Sequence, residues 1–420
     1  MLTALPLADS ISAMKGQLNM RVVALFFLAA GLAGCQDTRL YVEQEHLFSI
    51  GLGKMEHTFD LFQSSAAPFN ERSDIYIADG LVWVLNRNAN KIMTFTSYGD
   101  LVSLLYDPDE NPVPAALPVV TPGTGVDSRV SSRRAIPYQF NRIGWFSVDS
   151  QRRLMVEDLL PRDRWIEDSN LQTTLNRVVL RFSAQGEPLD YIGQDGPRGD
   201  PFPYIHRIEN SINDELVVVS RVPDRWLVYW FLPNGEHLTT VEIPVERLPV
   251  PAEGLIPSLQ DIIPDPNNRR LHVKIDYYSK ETEHATEGVR QVVQHSSYVY
   301  WLDLADGIYR EYVEIPRNIQ ETEDSSLLEQ RTRDYSYSLL GVLNGGNMLF
   351  ISEEDHDAQL MLLSSDGRVI RRRYVSIPRD GVNYRRLRIG NNGILIGLLA
   401  YTDGAEIHWW RTDSMLPHIP

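Results

Sequence analysis

The stretch Lys91–Tyr106 reads KIMTFTSYGDLVSLLY: an extended apolar run, a turn centred on Gly99, and a second extended run. The same unit recurs at Arg177–Ile192 (RVVLRFSAQGEPLDYI), Leu227–Pro244 (LVYWFLPNGEHLTTVEIP), Tyr298–Pro316 (YVYWLDLADGIYREYVEIP) and Gln359–Pro378 (QLMLLSSDGRVIRRRYVSIP). Each copy turns at a glycine: Gly99, Gly186, Gly235, Gly307 or Gly367. Asn234-Gly235, Asp306-Gly307 and Asp366-Gly367 are hairpin signals, because Asn, Asp and Gly accept positive φ at low cost.

Upstream of each hairpin lies another apolar run: Leu81–Leu85, Arg153–Val156, Glu215–Val219, Arg270–Tyr277 and Asn347–Ser352. Shorter runs precede several of these, such as Asp74–Ile77 and Gly144–Val148. Four short strands repeating about every 50–85 residues predict an all-β fold, a single β-propeller of about six four-stranded blades. A sixth copy contributes only Gly393–Ala400 and Glu406–Arg411 before the chain ends. Arg39–Gly51 (RLYVEQEHLFSIG) is extended and has no hairpin partner of its own. The expectation is that this N-terminal strand completes the last blade and closes the ring, covering an otherwise open edge.

The units SDIYIADGLVWVLNRNANKIMTFTSYGDLVSLL and VVLRFSAQGEPLDYIGQDG resemble NHL-type blades, and Phe48–Lys54 (FSIGLGK) resembles the ending of such a blade. The whole chain is similar to the propeller lipoproteins of spirochaetes. That resemblance implies a fold and an exported, lipid-carrying protein. It implies no particular activity.

Residues 1–34 read as a lipoprotein signal peptide, with the propeller domain spanning 35–420. Arg21 precedes the apolar run Val22–Leu32, and Leu32-Ala33-Gly34-Cys35 resembles a bacterial lipobox. Cys35 is the one cysteine of the chain and the expected lipidation site. Several acyl chains there would anchor the protein stably in a membrane. Met1–Ala13 holds Asp9 and no basic residue, which suits a signal poorly, so residues 1–13 read as a mis-called start. The localisation that follows is the bacterial cell envelope, with the membrane leaflet open. A net charge of −16 argues against binding nucleic acid.

No catalytic signature is present: no G-x-S-x-G, H-E-x-x-H, Walker-type loop or C-x-x-C. No catalytic residue or cofactor is therefore assigned. His206, in PYIHRIEN, is expected on an inner strand facing the central channel, which makes it a weak candidate metal ligand. Glu353–Asp357 (EEDHD) reads as a solvated turn and Asp195–Asp200 as a connection between blades. Arg371–Arg373 and Arg385, Arg386 and Arg388 read as a solvated outer strand. The aromatic pairs Tyr229-Trp230, Tyr300-Trp301 and Trp409-Trp410 read as core between blades. Insertions are expected at 107–140, 161–176, 279–295 and 317–333. The first reads as a mobile loop, and the last as holding a short helix near Ser325–Arg331.

The leading function is a non-enzymatic binding or scaffold role, with a protein or small-ligand partner. The alternatives are a metal-dependent hydrolase or lyase working in the channel, and an envelope assembly factor.

Overall fold

A computed structural model describes residues 39–61, 73–121, 133–211, 213–281, 291–323, 330–354, 357–390 and 392–416. Cys35 and the expected signal segment, residues 1–34, lie outside the described residues.

Six antiparallel sheets follow one another along the chain. From inner to outer strand, blade 1 is Asp74–Ala78, Leu81–Asn86, Lys91–Thr96 and Leu101–Tyr106. Blade 2 is Ile143–Val148, Leu154–Leu159, Arg177–Phe182 and Pro188–Gly193. Blade 3 is Ile205–Asn210, Leu216–Arg221, Arg225–Phe231 and His237–Pro244. Blade 4 is Ile256–Pro264, Arg270–Glu281, Gln291–Asp303 and Tyr309–Glu314. Blade 5 is Ser338–Val342, Met348–Glu353, Ala358–Leu363 and Val369–Val375. Blade 6 takes Tyr384–Ile389, Leu395–Ala400 and Ala405–Trp410 from the C-terminal end, and its outer strand, Gln44–Leu52, from the N-terminal end. The seam runs from Gln44 opposite Trp410 to Ile50 opposite Ala405. The closure expected from Arg39–Gly51 is present.

The core consists of six apolar clusters, each shared by two neighbouring blades. Alternation along a strand produces this. In blade 3, Val217 and Val219 pack toward blade 4, while Leu216 and Val218 pack toward blade 2. Middle strands are buried on both faces and therefore read as continuous apolar runs. The aromatic pairs split the same way, Trp230 toward blade 4 and Tyr229 toward blade 2. Trp230, Trp301 and Trp410 are buried, while Trp409 is half-buried and donates to Glu45 Oε2 at 2.7 Å. Four of the hairpin glycines, Gly99, Gly186, Gly235 and Gly367, sit against the preceding blade. Gly235 has φ +90°, and a Cβ there would lie 2.6 Å from Ile192 Cδ1. Gly99, at φ +88°, would meet Phe48 Cβ at 2.8 Å.

Two expectations change. The segment 107–140 is largely packed where described: Leu117 and Ala135 are buried, and Arg134–Pro137 adds a fifth, parallel strand to blade 1. Its prolines and small residues suggested a loop, but its backbone finds an open sheet edge to pair with. The insertion after blade 4 forms a hairpin, Asn318–Glu323 against Gln330–Tyr335, so Gln330 and Arg331 lie on a strand and not a helix. Cross-strand pairing there outweighs local helix propensity. Residues 324–329 lie outside the described residues.

Candidate functional site: the central channel

Antiparallel order fixes which connections share an edge. The links from first to second strand and from third to fourth leave one edge. The links from second to third strand, and from one blade to the next, leave the other. On the first edge every described connection is a short turn, such as Asp79-Gly80, Asp149–Arg153 or Leu232–Glu236. The long insertions all leave the second edge. They are 107–142 between blades 1 and 2, the hairpin Ile166–Asp168 with Thr173–Leu175 in blade 2, the extended pair Arg270–Glu281 and Gln291–Asp303 in blade 4, and the hairpin Asn318–Tyr335. The disc thus has one plain edge and one elaborated edge.

The inner strands surround the channel, and those of blades 1, 3, 4 and 6 carry charged residues. Blade 1 supplies Asp74, blade 2 Trp145, blade 3 His206, Arg207 and Glu209, blade 4 Asp261, and blade 6 Arg386 and Arg388. These charges form a continuous alternating chain. Arg386 Nε donates to Asp74 Oδ1 at 2.7 Å, and Arg388 Nη1 to Asp74 Oδ2 at 2.8 Å. Arg388 Nη2 lies 3.3 Å from Glu209 Oε2, and Glu209 Oε1 accepts from Arg207 Nη1 at 3.1 Å. Arg207 Nη2 donates to Asp261 Oδ2 at 2.6 Å, and His206 Nε2 lies 3.2 Å from Asp261 Oδ1.

Arg388 is the keystone. Blades 3 and 6 face each other across a six-blade ring, so its guanidinium bridges the axis. It also donates to the Phe146 carbonyl of blade 2 at 2.8 Å and stacks on the Tyr76 ring at 4.8 Å. Arg386 and Arg207 both lie over Trp145, at 4.7 and 5.8 Å. Burial pushes the Asp74 carboxyl up, but Arg386 and Arg388 outweigh that and hold it below its ordinary value. The same balance holds Asp261 low, through Arg207 and His206.

Backbone irregularity aims these groups. The pairing register shifts between Ile205 and Arg207, and again between Leu259 and Asp261. Such bulges re-aim side chains, and here His206 and Arg207, neighbours in sequence, both reach Asp261.

His206 therefore lies on the inner strand expected, edge-on to Trp226 at 4.7 Å. Its carboxylate partner already accepts from Arg207 and from the Ile262 amide at 2.8 Å. Arg386 and Arg388 correct the expectation of a solvated outer strand: they sit on an inner strand, both paired with Asp74, over three hundred positions away. Arg385 lies on the same inner strand, so the expectation fails for it too; it is partly exposed and pairs with Glu353 at 2.5 Å. Arg371–Arg373 lie on the outer strand of blade 5, as expected. Glu353–Asp357 is dispersed: Glu354 is buried and accepts from Asn318 at 3.1 Å, and Asp357 accepts from Tyr41 at 2.7 Å. Asp355 and His356 lie outside the described residues. Within Asp195–Asp200, Gly196 and Pro197 pair back onto blade 2, a connection as expected.

No family model matches the chain, and no curated protein matches it significantly. Among solved structures it is similar to a streptogramin B lyase, 12% identical, with 88% of this chain and 98% of that chain covered at TM-score 0.36. It is similar to the β-propeller domain of the Trilobed protease from Pyrococcus furiosus, 9% identical, covering 81% and 93% at TM-score 0.40. A polysaccharide lyase of family PL25, an ulvan lyase, is 10% identical, covering 88% and 83% at TM-score 0.38. The fold of this chain rests on its own strand pairing.

Proposed function

We propose that this protein is a lipid-anchored β-propeller of the bacterial cell envelope that binds a partner and does not transform a substrate. The observation that carries this is the gathering of every long described insertion on one edge of the disc. A rigid scaffold displaying variable loops on one side is the usual build of a recognition surface. The channel supports the same reading, because its charged groups are engaged with one another. The lipidated N-terminus at Cys35, the envelope location and the resemblance to spirochaetal propeller lipoproteins belong to this proposal, resting on the sequence alone.

Two experiments test it. Cys35→Ala should move the protein from the membrane to the soluble fraction; retention equal to the parent refutes the anchor. Deleting the hairpin 318–335 should abolish whatever membrane protein cross-links to the intact chain. Unchanged cross-links would place recognition elsewhere.

The alternative, a metal-dependent hydrolase or lyase, depends on His206. One metal per chain that is lost in His206→Ala would favour it over the binding role. An assembly factor is a special case of the binding reading, to be identified by the partner.

A further inference from the structure

The seam of the ring carries a second cluster, away from the channel. His46 of the N-terminal strand stands directly opposite His408 of the C-terminal strand. Glu406, two residues before His408, shares its face, since alternate residues of a strand point the same way. The register slips between His46 and Phe48, and Ser49 then pairs with Glu406. Among the described residues, one nitrogen from each histidine and one Glu406 oxygen all lie within 4.8 Å of one another.

We infer that His46, Glu406 and His408 form a transition-metal site, of the zinc class, that staples the N-terminal strand to the C-terminal one. Two imidazoles and one carboxylate are a donor set for zinc-like ions, whereas calcium and magnesium prefer all-oxygen ligands. Ligands at about 2.0–2.1 Å from a tetrahedral zinc stand roughly 3.3 Å apart. His408 Nε2 and Glu406 Oε2 are already 2.9 Å apart. His46 has the remaining movement to make: its side chain is exposed, and among the described residues its one hydrogen bond is to Ser49 Oγ at 2.9 Å. The rings of His46 and His408 already stand edge to face at 5.1 Å.

The surroundings suit a ligand histidine. Gln44 Nε2 lies 3.1 Å from His408 Nδ1, and a half-turn of the amide exchanges its nitrogen for its oxygen there. With its amide oxygen turned to that nitrogen, it accepts the Nδ1 proton and leaves Nε2 bare for a metal. His408 is buried and stacks near Trp410 at 6.2 Å, so its ring is fixed, while exposed His46 leaves a position open to water.

The location supplies the purpose. Among the four antiparallel strands of each blade, every other neighbouring pair is consecutive in the chain. The seam instead joins the two ends of the chain. A metal bridging His46 to Glu406 and His408 would hold shut the one junction where the ring can open. This holds whether or not the propeller binds a partner.

The test uses chelator-stripped protein titrated with zinc chloride, read by calorimetry and by metal content after gel filtration. The parent should take up one zinc per chain and melt a few degrees higher with zinc than without. His46→Ala, an exposed position, and His408→Ala should each lose the tight site and the melting shift. Glu406→Gln should weaken binding about tenfold or more. His206→Ala should bind as the parent does. If His46→Ala folds normally and still binds one zinc with parental affinity, or if zinc leaves the parent's melting unchanged, the staple is refuted.

Discussion

Arg388→Met tests whether the channel network holds the ring together. The substitution keeps an unbranched chain against Tyr76 and Phe146 but removes the guanidinium. Asp74 keeps Arg386 at 2.7 Å and the Ile75 amide at 3.0 Å, and Glu209 keeps Arg207 at 3.1 Å. The Phe146 carbonyl loses the donor at 2.8 Å. Removing one partner of a buried ion pair costs about 3–5 kcal/mol, and one buried acceptor left bare costs roughly 1–3 kcal/mol. Since both carboxylates retain an arginine, the low end applies, and a loss of about 3 kcal/mol is expected. Urea unfolding followed by tryptophan fluorescence should show a lower midpoint with an unchanged slope. The double variant Asp74→Asn with Arg388→Met should be less destabilised than the two single losses added together. The pH dependence has a definite sign. Asp74 binds its proton more weakly folded than unfolded, so the stability it contributes is present above the unfolded value, near 3.8, and is lost as pH falls through its lower folded value. The parent's advantage over Arg388→Met should therefore shrink only below about pH 3.8. A loss under roughly 0.5 kcal/mol for Arg388→Met, or strict additivity with Asp74→Asn, would refute the network's structural role.

Gly144→Ala should lower stability by about 2 kcal/mol in thermal melts, because the new Cβ would sit 2.2 Å from Glu157 Oε2 and displace the carboxylate that holds the Trp145 amide and Arg177. Burial, with Glu157 adding its charge, pushes the Asp158 carboxyl up to about 6 despite the amides of Asn141 and Arg142. Its contribution is full below pH 3.8 and lost as pH rises through 6, so Asp158→Asn should gain about 1–3 kcal/mol at pH 7 and flatten the pH profile between those values. Equal stability of Asp158→Asn and parent at pH 7 would count against that burial cost. Deleting Gln44–Leu52 should bare the edge of Ala405–Trp410 and drive association, visible in light scattering. A monomeric, cooperatively folded deletion would show that the seam is dispensable.

The strands and turns were legible because their code is local. Alternation of period two, and Asn-Gly or Asp-Gly between apolar runs, act within a few residues of where they are written. The same arithmetic exposed the closure: a last blade one strand short and a lone extended segment near the start determine each other. The aromatic pairs were placed correctly because a strand buried on both faces has room for large residues on either side. Arg386 and Arg388 were misplaced. As sequence, the arginines of Tyr384–Ile389 (YRRLRI) read as a solvated strand, since an arginine is costly to bury alone and the partners that offset the cost, Asp74 and Glu209, are far off in the chain. The position of this run just before the Gly390–Gly393 turn and an apolar strand was the signal, matching Asp74–Ala78 before Asp79-Gly80.

Short-range pattern and the counting of strands thus led to the blades, about six of them, and to the way the ring is closed, while the exact count of six belongs to the strand pairing. Tertiary structure alone decided which charges meet. Whether Arg388 reaches Asp74 and Glu209, whether His206 and Arg207 share Asp261, and whether His46 lands opposite His408 all depend on which blades face one another and on bulges of a single residue. Pairing across the ring is a property of closure, and no local pattern encodes it.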